Sequence, residues 1–103
     1  MTYFEELRDV IRHLHGVESK HVESVPIKET FQGKTVWEGI VEVFDLIGHP
    51  KAPKVYAWAY ETENPKKPKH VIVLHLGPVT SPLLAVRAAI VKEFRDNAAI
   101  EEA

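Results

Sequence analysis

The amino-acid sequence predicts an α+β domain whose elements run α-β-β-β-β-α, an antiparallel meander sheet with the two helices packed mainly on one face. Three observations lead there. Apolar residues recur at helical spacing at both ends of the chain, through Phe4, Leu7, Ile11 and Leu14 and again through Leu83, Val86, Ile90 and Phe94. The stretch between them is rich in Val, Ile, Trp and Tyr, which suit a pleated, half-buried surface. Short Gly- and Pro-bearing breaks divide that stretch, and connections so short join antiparallel neighbours rather than parallel strands.

The first helix opens on a capping box. The Thr2 hydroxyl can reach forward and the Glu5 carboxylate back. Val10 widens the apolar stripe. Glu5 and Glu6 lie in the first turn and Arg12, His13 and His15 in the last, each sign where the helix dipole favours it. Gly16 supplies the left-handed residue that ends the helix.

The first strand is expected over residues 21–31, where Val25, Ile27 and Phe31 alternate with polar residues. Pro26 has no N–H to donate, which assigns this strand to a sheet edge. Gln32-Gly33 makes a tight hairpin turn. The second strand, residues 35–47, is the longest and is apolar on both faces; Gly39 within it implies a bulge or a close packing contact. A proline-bounded loop follows at 48–53. The third strand, 54–61, sorts Val55, Ala57 and Ala59 from Tyr56, Trp58 and Tyr60. After a Pro- and Lys-rich turn at 63–69, the fourth strand, 70–76, is almost wholly apolar. Gly77-Pro78 ends it. Ser81-Pro82 then starts the second helix, with a capping hydroxyl and a first-turn proline. Residues 1–97 form one domain and 98–103 a frayed tail.

Composition narrows the function classes. The 103 residues fit one domain with a single core. With no cysteine there is no disulfide framework, no Cys-ligated zinc and no thiol nucleophile, and the absence fits a reducing compartment. The formal charge of −2 lacks the basic excess of a dedicated nucleic-acid binder. The N-terminus shows no basic region followed by an apolar run, and no apolar run could span a bilayer. The expectation is a cytoplasmic protein with no cofactor, no metal and no membrane partner.

Strand alternation places the loops at two ends of the sheet. The end holding the 48–53 loop should gather His13, His15, His21 and His49 with Lys20, Lys51, Lys54 and the start of the second helix. His49, Lys51, Lys54 and Ser81 are therefore a candidate anion site, because helix-start amides carry positive partial charge. If the small-residue face takes both helices, the opposite face shows Tyr56, Trp58 and Tyr60, flanked by Ile40, Phe44, Val73 and His75. Monomers seldom leave such a surface bare. Tyr56, Trp58, Tyr60, Phe44 and His75 are thus the candidate interface or ligand platform. A second copy of the chain is the expected partner, with the fourth-strand edge as another route to pairing.

Two resemblances bear on this. The order helix, meander, helix, with Gly48-His49-Pro50, resembles the double-stranded-RNA-binding domains, whose His- and Pro-containing loop enters the minor groove. That resemblance implies RNA binding. The departure is at the last helix, which begins Ser81-Pro82-Leu83-Leu84-Ala85 where those domains carry lysines. Lys66, Lys67 and Lys69 fall at the other end, roughly 25 Å away along a strand, so they do not rebuild the phosphate-binding groove. The run Trp37-x-Gly39-x-Val41-x-Val43-Phe44-x-Leu46-x-Gly48-His49-Pro50-x-Ala52, with Tyr56-Ala57-Trp58, resembles small uncharacterised bacterial proteins of mobile gene cassettes. That likeness brings no activity and no site residue.

An enzyme or small-ligand pocket is the alternative function. His21, His49 and His75 are its proton shuttles, with Glu38, Glu42 or Tyr56 as orienting partners. His13 and His15 are two apart and do not share a helix face, so they make no metal pair. No spacing in the chain matches a catalytic, metal or nucleotide motif, and the primary expectation remains a homodimeric interaction module.

Overall fold

A computed structural model describes residues 2–60 and 69–102, with side chains as far as Lys92. Residues 63–68 of the turn expected at 63–69, and the Phe94 side chain, lie outside the described residues; Lys69 already belongs to a strand. The observed order is α1 (Tyr3–His15), β1 (Glu18–Phe31), β2 (Lys34–Ile47), β3 (Lys54–Tyr60), β4 (Lys69–Leu74) and α2 (Pro82–Glu102). The strands form one antiparallel sheet in the order β1-β2-β3-β4. The chain is an α+β fold, as its pattern predicts.

Local chemistry explains the boundaries. Thr2 Oγ1 accepts the Glu5 N–H at 3.1 Å, and the Gly16 N–H, in left-handed conformation, donates to the Arg12 carbonyl at 2.8 Å. Gln32 and Gly33 both take positive φ, 52° and 79°, the geometry whose twist matches the flanking strands of a two-residue hairpin. At the other helix the Ser81 hydroxyl accepts the Leu84 N–H at 3.2 Å. The helical backbone of α2 continues to Glu102, past the point where the sequence pattern ends the domain. β1 begins at Glu18, three residues before the predicted start, and β4 ends at Leu74, two before the predicted end. β1 lies at the sheet edge, where Pro26 leaves no ladder donor missing from a central strand.

The layering departs from expectation. The helices do not share a face. Leu7 and Ile11 of α1 pack with Phe44, Leu46, Ala52, Val55 and Ala57. Ala85 and Val86 of α2 pack with Val41, Val43, Tyr56 and Trp58 on the opposite side. The reason lies in β2, where residues 41–44 are all buried, so successive side chains need cover on both faces. The flat Ala57 face admits α1 closely. The large aromatic face takes α2, which is apolar nearly all round between Leu83 and Val91. Leu14, counted in the α1 stripe by spacing, is exposed, because α1 touches the sheet mainly through Leu7 and Ile11.

One buried group lacks a partner. Ser19 Oγ lies beneath α1 opposite Leu46, and no hydrogen bond reaches it among the described residues. An unpaired buried hydroxyl costs about 1–3 kcal/mol. Ser19→Ala is therefore expected to stabilise the fold by about 1 kcal/mol, a rise in melting temperature of about 4–8 °C for a domain of this size. Thermal unfolding followed by circular dichroism checks it. A lower melting temperature would mean that the hydroxyl is satisfied after all.

Candidate functional site

The aromatic strand is the first place to look, and α2 covers it. Trp58 is 3% exposed and Tyr56 is equally buried. The Trp58 ring meets Trp37 edge-on, with centroids 5.5 Å apart. Trp37 in turn folds over Gly39, where an added Cβ would stand 3.0 Å from the indole. Gly39 is thus the predicted close contact. Phe44 pairs across from Val55, not Tyr56, which turns it to the α1 side. Ile40 lies on that side too. Of the predicted platform, Tyr56, Trp58 and His75 share a face, Tyr60 is partly exposed at the end of β3, and Phe44 belongs to the other core.

The Tyr56 hydroxyl and His75 Nδ1 are 2.6 Å apart, one of the histidine partnerships the residue types suggest. Burial pushes the Tyr56 phenol above its ordinary range, with Lys54 opposing and Glu23 adding to the effect. A phenol held protonated is a structural hydrogen-bonding group at neutral pH.

A second polar group gathers under the start of α1. Glu42 is buried, and its Oε1 receives the Ser24 hydroxyl and lies 3.0 Å from His21 Nε2. His21 lies between Phe4, tilted against it with centroids 4.3 Å apart, and Phe44, met edge-on at 5.2 Å. Serine, histidine and glutamate side by side invite comparison with a nucleophile triad. That chemistry needs the serine and the acid on opposite ring nitrogens, so that one holds the ring while the other gives up its proton. Here Ser24 Oγ and Glu42 Oε1 both approach Nε2, and the serine donates to the carboxylate instead. The cluster ties β1 to β2. Beside it, the Tyr3 hydroxyl accepts the Ala59 N–H at 3.0 Å, and Glu6 meets His70 at 2.8 Å, fastening α1 to β3 and β4. Burial raises the Tyr3 phenol, with the Ala59 amide opposing and Glu42 and Glu6 reinforcing the rise.

The four residues of the predicted anion site are differently employed. His49 Nδ1 accepts the Lys51 and Ala52 N–H groups at 3.1 and 2.9 Å, closing its own loop. Its ring lies 6.0 Å from His15, whose imidazole is pulled below its ordinary range by burial and then by His49. Lys54 pairs with Asp45 at 3.0 Å. Ser81 caps α2 on the face opposite α1. No hydrogen bond or ion pair joins Ser81 to His49, Lys51 or Lys54 among the described residues. His21, expected at that end, lies deeper along the sheet, under Phe4. No group of three or more His, Asp or Glu among the described residues could hold a metal ion, and no described helix is long and apolar enough to cross a membrane.

Two shallow apolar grooves lie open among the described residues. One is on the outer side of α2, where Leu84, Ala88 and Val91 meet Pro78 and Val79 around a groove of about 400 Å³ rimmed by Arg87 and Lys92. The other is on the long β1–β2 hairpin. β3 pairs with β2 only between Glu42 and Asp45, so the rest of the hairpin projects as a two-stranded arm. α2 supports one side of this arm through Val25, Ile27 and Trp37, with Arg87 paired to Glu29 and holding its carboxyl below the ordinary range. On the side facing α1's layer, no described residue covers the arm. It shows Pro26, Lys28, Glu38 and Ile40 around a groove of about 320 Å³. Ile40 is 53% exposed; nearer the turn Val36 and Phe31 are exposed too, Phe31 on the same strand face as Val25 and Ile27 and Val36 at the register shift between Glu29 and Thr30. Spacing alone did not single out this patch. The signal that could have done so is the mismatch between a thirteen-residue predicted β2 (35–47) and an eight-residue β3 (54–61), which leaves five residues of β2 without a neighbour on that side.

Neither His49 nor His75 lines either groove. No protein family matches the chain, and neither a curated protein nor a solved structure is significantly similar to it.

Proposed function

We propose that the protein is a homodimeric interaction module whose contact surface is the open face of the β1–β2 arm. The observation that carries this reading is the exposure of Ile40 and Pro26, directly opposite each other across β1 and β2, on a sheet face that no helix covers among the described residues. Sheet faces that present side-by-side apolar residues bury them against a second layer, and among the described residues this half of the sheet has its second layer on one side only.

Size sets the strength to expect. From Ser24 to Phe31 the arm is about 26 Å long and about 10 Å wide. With side-chain relief that offers about 500 Å² per subunit, the small end of specific interfaces. The dimer should therefore dissociate at about micromolar concentration.

Light scattering behind size-exclusion chromatography tests this over a dilution series. The wild-type chain is expected to approach twice its monomer mass at high concentration. Ile40→Glu should hold the monomer mass throughout with an unchanged circular dichroism spectrum, because the side chain is exposed. A wild-type chain that is monomeric at every concentration overturns the reading. So does an Ile40→Glu chain that still dimerises.

A further inference from the structure

Building on that self-association, we infer that two arms stack face to face about a two-fold axis parallel to their strands, with Lys28 of each copy against the partner's Glu38. Lys28 and Glu38 stand directly opposite each other across β1 and β2, on the open face beside Pro26 and Ile40. Both are exposed, and neither forms an ion pair among the described residues. The patch thus has an apolar centre flanked by one uncommitted charge of each sign.

Symmetry decides what such a patch fits. A two-fold axis lying in the interface and running along the strands exchanges left for right but keeps the level along the arm. It places β1 of one copy over β2 of the other. Every cross-strand pair then meets its own reverse: Pro26 meets the partner's Ile40, and Lys28 meets the partner's Glu38, twice per dimer. An axis across the strands would set β1 over β1 and leave both charges without opposite partners. Isologous contacts require a surface complementary to itself, and opposite charges at one level on paired strands meet that requirement. The groove outside α2 does not. Its described rim carries Lys92 and Arg87, the latter already paired to Glu29, and no acid that a second copy's Lys92 could meet.

The experiment mixes two variants. Lys28→Glu gives an arm with two acids, and Glu38→Lys an arm with two bases. Each alone should dimerise at least about tenfold more weakly than wild type, because both charge contacts become repulsive. Mixed in equal amounts, they should recover dimer mass with affinity within about threefold of wild type, because both contacts become attractive in the heterodimer. Analytical ultracentrifugation with one variant fluorescently labelled reads this directly. The double variant Lys28→Glu/Glu38→Lys should also dimerise like wild type. If the wild-type chain dimerises while the single variants are unaffected, or their mixture shows no recovery, the paired-arm geometry is wrong and self-association stands. If wild type stays monomeric, self-association itself fails.

Discussion

Trp58→Glu is expected to leave no folded protein at 25 °C, and Trp58→Ala to lower stability by about 3–5 kcal/mol. The indole is 3% exposed between Trp37 and α2. Truncation removes a large transfer term and opens a cavity that a sheet on one side and a helix on the other cannot close. A carboxylate there has no cation within the apolar group, and an unpaired buried charge costs more than such a domain's margin of about 5–15 kcal/mol can absorb. Urea unfolding of the alanine variant and circular dichroism of the glutamate variant check both statements. A glutamate variant that stays folded and merely changes mass would return Trp58 to the surface, as an open aromatic face requires.

Phe44→Ala should cost a similar amount, about 3–5 kcal/mol, through the other core. Phe44 is fully buried under Leu7 and Ile11 and also backs the His21 ring. Its loss loosens α1 and leaves α2 in place, so native-state hydrogen exchange should quicken in α1 first. Trp58→Ala should show the reverse order. Because the two side chains belong to clusters on opposite faces, their effects should add in the double variant, which then falls to the edge of unfolding. A double variant clearly more stable than the sum predicts would show that the two cores communicate through β2.

What the sequence made legible was local. Thr2, Gly16, Gly33 and Ser81 each act within a few residues of their own position, and the structure uses each as chemistry demands. Pro26 announced an edge strand because a missing donor has one tolerable place in a sheet. The side of the sheet that each helix takes is a long-range matter. Val43 and Phe44 are both apolar and adjacent, and nothing within either residue says which core it joins; the pairing of Phe44 with Val55 decides it. That single assignment moved Phe44 and Ile40 off the aromatic face, and with α2 over Trp58 it shifted the open surface to the arm. The predicted anion site divided for the same reason. Its residues lie near one end of the sheet, but two helices on two faces pull that end apart.

The change along β2 from burial on both faces to burial on one bears on how the chain can vary. Between Val41 and Phe44 each residue answers to a core above or below, so neighbouring positions cannot drift independently and tolerated changes should be volume-matched. Between Val36 and Ile40 only every second position carries that obligation. If the arm serves no contact, its uncovered positions should accept polar residues freely, and a deep mutational library would show alternate tolerance there. If the arm is a contact surface, tolerance at Ile40 should be broad for folding and narrow for association, separating two kinds of constraint within a single strand.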